Sequence, residues 1–447
     1  MNLFPFARLK SNRLVRSVAL LVSANVAGQL LLLAAMPIVT RLCSPEDFGV
    51  FGAFSGILNV LLVASSLRYE FAVPLAKRER DARAIVVLAL VLNALIAGFA
   101  AGAVLLFPEQ IAGAMHLPDL AQVLWLLPVV LLGAGTYRSI RMWSVRRREF
   151  GAIAYTRIAQ SAANGGTQIG LGLAGFGATG LIVGQLLGFS AGTLRLARTI
   201  RFSKGELRPK TILRRMSRVA VRFKRFPQID TAASILNTIS TQLPMILLPV
   251  LFGPVVAGYY ALADRALASP ASLLSQAMGQ VILSESSDRV ASGNLGKLAT
   301  RAMLGVFCVA ALPTLLMFLF GEPIVTFVFG ADWGEAGAFI AWMALGTCAQ
   351  LIYSSISTML LATEAQARNL VIQLSLLVIR AIAILLGYMQ GAALSAIVFL
   401  SIANAAGYSL ACLVVIAHAR RFSISKLIDT DSLGRQIGSA ACARAQE

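Results

Sequence analysis

Apolar runs of about twenty residues recur from one end of the chain to the other, separated by short polar connections. A hydrocarbon core of roughly 30 Å takes about 20 apolar residues to cross as a helix, which satisfies its own backbone hydrogen bonds without water. The runs are unbroken, which excludes a barrel. They predict about 12 transmembrane helices, near residues 17–39, 48–70, 83–107, 119–140, 151–174, 177–197, 228–251, 255–281, 301–320, 336–361, 369–387 and 391–417. The fold class is therefore all-α, a polytopic membrane protein.

The connections fall into two alternating sets. One is basic: Arg8, Lys10, Arg13 and Arg16 in the leader, then Lys77, Arg78, Arg80 and Arg83, then Arg138, Arg141, Arg146, Arg147 and Arg148, then Arg289, Lys297 and Arg301, with Arg368, Arg420, Arg421 and Lys426 further on. The other set, near 108–118, 175–178, 252–254, 321–335 and 388–390, holds no Lys or Arg, and its remaining member has only Arg41. Basic residues in short loops stay on the cytoplasmic side, so both termini are expected there, in a multi-pass protein of a bacterial cytoplasmic (inner) membrane. The leader's basic residues precede a segment of full membrane length, which is expected to be a retained first helix rather than a signal peptide.

Composition sharpens this picture. Hydrophobic residues make up 57% of the chain and charged ones 13%, a balance that excludes an ordinary soluble domain. The net charge of +19 sits in the basic connections, which points to anionic membrane lipids rather than to nucleic acid. Five scattered cysteines, at 43, 308, 348, 412 and 442, have no metal or redox spacing, and His116 and His418 are the only histidines. No metal, cofactor or catalytic group is expected.

The chain reads as bipartite, with an N-terminal six-helix lobe over 1–197, a basic interlobe linker over 198–226, a C-terminal six-helix lobe over 227–420 and a polar, partly disordered cytoplasmic tail over 421–447. In the linker, Leu213, Met216, Ala220 and Phe223 recur at helical spacing among arginines, which fits either an amphipathic helix on the membrane surface or a solvated loop. The halves echo each other. Pro45, Gly49 and Phe51 return as Pro254, Gly258 and Tyr260 at an offset of 209; Tyr137, Ser139 and Ile140 return as Tyr353, Ser355 and Ile356 at 216; Gly177-Ala178 returns as Gly391-Ala392 at 214. Three offsets in one order point to a duplicated six-helix unit, whose even helix number makes the repeats parallel, as in transporters that rock two halves about a central site.

Transport needs polar groups inside the bilayer, where a charge costs about 2.5–3.5 kcal/mol and so faces protein or water. Arg265 and Arg380 lie ten or eleven residues into their spans, roughly 15 Å deep. Arg265 heads a one-face stripe with Ser269, Ser272, Gln276 and Gln280; Asp230, Ser234, Asn237 and Thr241 form another, Arg157, Gln160, Asn164 and Gln168 a third, and Asn25 and Gln29 lie on the first span. Together these faces imply an aqueous vestibule, against the plainer reading that neutral polar residues merely bond helices together. Asp264 is a candidate coupling group or charge partner, with Arg380 as one possible counter-ion. Arg68 and Glu70 close the second span near its cytoplasmic end, where a topogenic role competes with a functional one. The glycines at 165, 166, 170, 172 and 175 lack a Gly-Lys-Ser/Thr ending and read as helix packing, not a phosphate loop.

Several stretches, in order, carry a family resemblance: Thr40-Arg41 with SPEDFGVFGAF at 44–54, LRYEFAVPLA at 67–76, RREFGAIAYTRIAQS at 147–161, GLIVGQLLG at 180–188, RFP at 225–227, FGPVVAGYYALADRALASPASLL at 252–274 and GQV at 279–281. Over roughly residues 13–420 the sequence resembles the oligosaccharide flippases of the multidrug, oligosaccharidyl-lipid and polysaccharide exporter (MOP) superfamily. The resemblance implies two six-helix lobes around a central cavity. It also implies movement of undecaprenyl-pyrophosphate-linked oligosaccharide repeat units from the cytoplasmic to the periplasmic leaflet. A polysaccharide polymerase and chain-length machinery are candidate partners. Arg68 and Arg265 fall in matching stretches, while Arg380 rests on depth alone. Guanidinium forks suit a pyrophosphate, and amide and hydroxyl groups suit sugars. The substrate-binding set is thus Arg265, Arg380, Arg68, Arg157, Asn237 and Gln276, with Asp264 and Glu70 as coupling or charge partners. Two other readings compete: a multidrug or cation exporter of the same superfamily, for which a carboxylate-rich cavity is expected, and a membrane glycan polymerase or ligase, for which a large outer loop is expected.

Overall fold

In the computed structural model, residues 13–200, 209–291, 295–363 and 365–444 are described. Arg8 and Lys10 of the leader, positions 201–208 of the linker and positions 445–447 lie outside the described residues. The described chain is helical throughout, in chain order α1 (Arg13–Leu42), α2 (Pro45–Ala64), α3 (Glu79–Leu106), α4 (Pro108–Ala114), α5 (Pro118–Val123), α6 (Leu126–Arg146), α7 (Phe150–Leu173), α8 (Gly177–Ser190), α9 (Thr193–Ala197), α10 (Pro209–Arg222), α11 (Thr231–Phe252), α12 (Pro254–Ala291), α13 (Leu295–Phe329), α14 (Gly334–Ile356), α15 (Thr358–Ala362), α16 (Gln366–Met389) and α17 (Ala393–Arg444). Nine helices among the described residues are long and apolar enough to cross a membrane. The expected twelve is reached only by adding α6, α7 and α12, whose sequences are interrupted by arginines and amides.

Two compact units emerge. The first comprises Met1–Ala266 with Pro323–Gly337, the second Leu267–Glu322 with Ala338–Glu447. Two of the divisions lie beside prolines. Pro270 inside α12 has no N–H for the carbonyl of Ala266, and α13 departs from helical geometry at Phe320 shortly before Pro323.

In the first unit α1 packs on α7, α7 on α8, α3 on α6, and α2 on α11. The α7–α8 pairing rests on glycines four residues apart: a Cβ on Gly180 would meet the Leu171 side chain at 2.9 Å, one on Gly184 would overlap Gln168, and one on Gly188 would meet Asn164 at 2.8 Å. Small residues at this spacing let helix backbones close together. The SPED motif is a capping box. The Asp47 N–H donates to Ser44 Oγ (3.3 Å) and the Ser44 N–H donates to Asp47 Oδ2 (3.0 Å). Asp47 Oδ1 also accepts the Ala178 N–H at 2.8 Å, so one carboxylate serves the first turns of both α2 and α8.

Three expectations change in detail. The second span stops at Ala64, and Arg68 and Glu70 lie on a left-handed turn and a 3-10 turn over Tyr69–Ala72. The linker helix α10 turns Ile212, Met216, Val219 and Phe223 against Tyr69, Ala72 and Trp143, leaving Leu213 66% exposed, and the Tyr69 hydroxyl donates to the Ala220 carbonyl at 3.1 Å. Its apolar stripe thus covers protein rather than lipid. The tail continues as helix to Arg444 instead of losing structure, in keeping with its Ala, Leu and Arg content.

Within the second unit α16 packs on α17, and a core of Leu298, Val306, Ile352, Ile356, Leu376 and Val415 runs between α13, α14, α16 and α17. Each half repeats the same local devices. Ser139 Oγ donates to the Gly135 carbonyl and Ser355 Oγ to the Leu351 carbonyl, both four residues back. Tyr137 Oη pairs with Thr156 Oγ1 at 3.2 Å, and Tyr353 Oη donates to Asn369 Oδ1 at 2.6 Å. Thr156 and Asn369 are themselves 213 positions apart.

Candidate functional site

The Pro45 end of α2 and the Pro254 end of α12 meet in the first unit. A Cβ on Gly49 would overlap the carbonyl oxygen of Pro254, and a Cβ on Gly258 would overlap that of Pro45. One step deeper, Gly52 faces the Ala261 Cβ at 2.9 Å, its own counterpart at the offset of 209. Reciprocal contacts between equivalent residues are what a two-fold axis requires, so an approximate local two-fold axis relates the facing stretches of α2 and α12. Trp333 is buried beside this seam, against Phe48 (4.9 Å between centroids) and Tyr259 (6.1 Å), with its Nε1 donating to the Thr40 carbonyl at 2.9 Å.

Arg265 lies two turns further along α12. Its Nη2 donates to Gln168 Oε1 at 3.0 Å, and Phe51 lies 5.6 Å from its guanidinium carbon. Gln168 is 1% exposed and is held in turn by donation from its Nε2 to the Leu181 carbonyl at 3.1 Å, in space left by Gly184. Arg265 Nη1 is shielded from solvent and has no hydrogen-bond partner. A guanidinium braced on one side, with a buried donor free on the other, is prepared for an oxyanion. Asp264 is half-buried on the neighbouring position.

The remaining candidates separate. Arg380 is 4% exposed in the second unit, with Nε donating to Asn404 Oδ1 (2.8 Å) and Nη2 to Tyr408 Oη (2.6 Å), so both groups of α17 are bound up with it. Gln276 and Asn237 are exposed on α12 and α11. Arg68 Nε donates to Asp230 Oδ2 at 2.5 Å, and Arg68 stacks over Phe71. Glu70 is 1% exposed, accepts from Ser66 Oγ, and has Arg138 Nη2 at 3.7 Å. Arg157 is half-buried on α7. Reasoning from single helices missed Gln168 as the partner of Arg265, and Arg138 and Arg141 as part of a cluster. The polar stripe on α7 was the available signal for the first.

Such a fold, with guanidinium groups set among polar helix faces, is that of a polytopic membrane protein. Solved structures share it at low identity. An inward-facing multidrug resistance MATE family transporter of the MOP superfamily matches with TM-score 0.66 at 14% identity, covering 88% of this chain and 95% of that one. The lipid II flippase MurJ in an inward closed conformation matches with TM-score 0.68 at 16% identity, covering 93% and 91%. A MOP superfamily transporter from Pyrococcus furiosus matches with TM-score 0.61 at 14% identity, covering 93% and 97%. No curated protein has a significant sequence match. The chain belongs to the family described as polysaccharide biosynthesis protein, whose model matches residues 38–338.

Proposed function

We propose that this protein is a flippase carrying undecaprenyl-pyrophosphate-linked oligosaccharide repeat units from the cytoplasmic to the periplasmic leaflet of a bacterial inner membrane, by alternating access, for surface polysaccharide such as lipopolysaccharide or exopolysaccharide. Both termini are cytoplasmic in this reading, which places the Pro45–Pro254 seam at the periplasmic end. The six-helix lobes over 1–197 and 227–420 are its moving halves, joined by the 198–226 linker. One observation carries the reading: Arg265, braced by Gln168 on a polar helix, keeps a buried N–H free for an anion. A pyrophosphate satisfies that donor and neutralises its charge. Asp264 acts as the charge partner that balances Arg265 when the substrate has left. Arg380 sets Asn404 and Tyr408 in position, and Gln276 and Asn237 offer amides to sugar hydroxyls. Polymerase and chain-length proteins receive the product.

The same fold serves cation export, and the charge at mid-helix separates the two: a guanidinium favours an anionic head and disfavours a cationic drug. In cells expressing Arg265→Ala at the wild-type level, lipid-linked oligosaccharide accumulates in the inner leaflet and export falls. Unchanged export at equal protein level removes Arg265 from the mechanism.

A further inference from the structure

A second cluster of guanidinium groups lies at the far end of α2, α6 and α7, in the first unit. Four arginines meet there: Arg68 after α2, Arg138 and Arg141 on α6, and Arg157 on α7, where Tyr137, one turn before Arg141, pairs through its hydroxyl with Thr156, the neighbour of Arg157, at 3.2 Å. Two carboxylates accompany them, and each is taken. Asp230 is bound by Arg68, and Glu70 by Ser66 and Arg138. Arg138 is also tied through Nη1 to the Leu62 carbonyl at 3.1 Å. Among the described residues neither Arg141 nor Arg157 forms an ion pair, and Arg141 Nε is buried with no hydrogen-bond partner. Solvated topogenic arginines look different: Arg147, six positions further along, is 47% exposed.

The backbone here is also held in an uncommon shape. Leu67 and Arg68 both have positive φ, 47° and 58°, a conformation that side chains other than glycine rarely adopt. The Arg68–Asp230 pair and the Phe71 stacking fix it. The result is a braced rim beside two like charges whose repulsion Tyr137 and Glu70 offset only in part.

We infer that Arg141 and Arg157 form a second anion site, specific for a diphosphate group and distinct from Arg265. A bridging diphosphate gives each guanidinium an oxyanion partner, where a single phosphate spans the pair less well. Counting along α2 and α12 from the Pro45–Pro254 contact, Arg265 is about 16 Å in and the turn at Ser65 about 30 Å in. The site therefore lies roughly 15 Å nearer the cytoplasmic end. Resting on the flippase reading, it is a docking station that the pyrophosphate head meets before Arg265.

The test uses the purified full chain in detergent with inorganic pyrophosphate as probe and inorganic phosphate as comparison, followed by binding calorimetry. Wild type and Arg265→Gln are expected to bind pyrophosphate at this site, more tightly than phosphate. Arg141→Gln and Arg157→Gln each lose about tenfold in affinity, Arg141→Lys keeps part of it, and Arg147→Gln keeps all. Monodisperse elution of every variant shows that each is folded. Wild-type affinity in the Arg141→Gln, Arg157→Gln double variant overturns the inference, as does equal affinity for phosphate. A second arm repeats the titration in nanodiscs with and without phosphatidylglycerol. Loss of pyrophosphate binding when that lipid is present makes the site a phospholipid contact and overturns the docking role. The flippase reading fails separately, through unchanged export by Arg265→Ala, with the pyrophosphate titration untouched.

Discussion

The α2–α12 seam gives a perturbation whose size follows from the structure. In Gly258→Ala the new methyl would stand 2.6 Å from the Pro45 carbonyl carbon and 3.1 Å from its Cα, and would overlap the carbonyl oxygen. Carbon atoms rest at about 3.5–4.0 Å, so the helices must part by roughly 1 Å. Backbone cannot turn aside as a flexible side chain can. Overpacking of this kind costs about 1–3 kcal/mol, which as a shift between conformations is about 5- to 150-fold. Gly49→Ala meets Pro254 in the same way from the other helix. Because one separation relieves both clashes, the double variant is expected to cost less than the two added together.

Two measurements read this. Apparent melting temperature of the purified protein should fall in Gly258→Ala and Gly49→Ala and not in Gly98→Ala or Gly102→Ala on α3, where a Cβ meets nothing within 4 Å. In a background without native cysteines, Gly52→Cys with Ala261→Cys should form a disulfide that stops transport and releases it on reduction, and adding Gly258→Ala should slow its formation. A disulfide that forms as fast with Gly258→Ala as without it refutes the reasoning, as does a melting temperature equal to that of the α3 controls.

Further outcomes follow from other contacts. Gln168→Ala removes the second hydrogen bond to the Leu181 carbonyl and leaves both amino groups of Arg265 unpaired, and is expected to lower stability by about 1–3 kcal/mol in thermal unfolding, whereas Gln168→Glu should hold Arg265 more firmly and weaken pyrophosphate binding to it. Tyr137→Phe and Tyr353→Phe remove equivalent hydrogen bonds and should each cost about 1 kcal/mol, measured by the same unfolding assay. Cys43 lies between α1 and α2 at 6% exposure, and burial together with Asp47 pushes its thiol up to about 11. At pH 8 about one thiol in a thousand is then ionised, so maleimide should label Cys43 only after unfolding.

Hydrophobic run length was enough to find the long helices because the bilayer imposes one length on every crossing. It failed at ends, where local chemistry decides. Pro118 starts a separate short helix, so α6 begins at Leu126 rather than near 119, and the left-handed turn at Leu67 ends the second span six residues before Glu70. The duplication was legible at three short patterns, and two of these mark contacts that recur in space: the Pro-x-x-x-Gly pair meets across an axis, and the Tyr-x-Ser-Ile pairs make matching hydrogen bonds. The site was half legible. Depth along a helix singled out Arg265 and Arg380 alike, yet depth says nothing of partners. Only folding reveals that Arg380 is enclosed by Asn404 and Tyr408 while Arg265 keeps a free donor.

The two-fold seam also explains why the free donor stands where it does. At the offset of 209, Asp264 and Arg265 correspond to Ser55 and Gly56. Ser55 Oγ donates to Gln185 Oε1, and Gly56 lies against Met245 and Ile246, so the first copy of the motif is spent on packing α2 against its neighbours. A symmetric pair of arginines here would place two like charges near one axis with a single Gln168 to brace them, at a Coulomb cost that low polarity magnifies. Keeping the glycine in one repeat and the arginine in the other leaves α2 close-packed on α11 and a single cation on α12. The asymmetry therefore makes a directed site out of a duplicated scaffold: Gly56→Arg should fail to insert or fold, while Arg265→Gly should fold and lose only its anion.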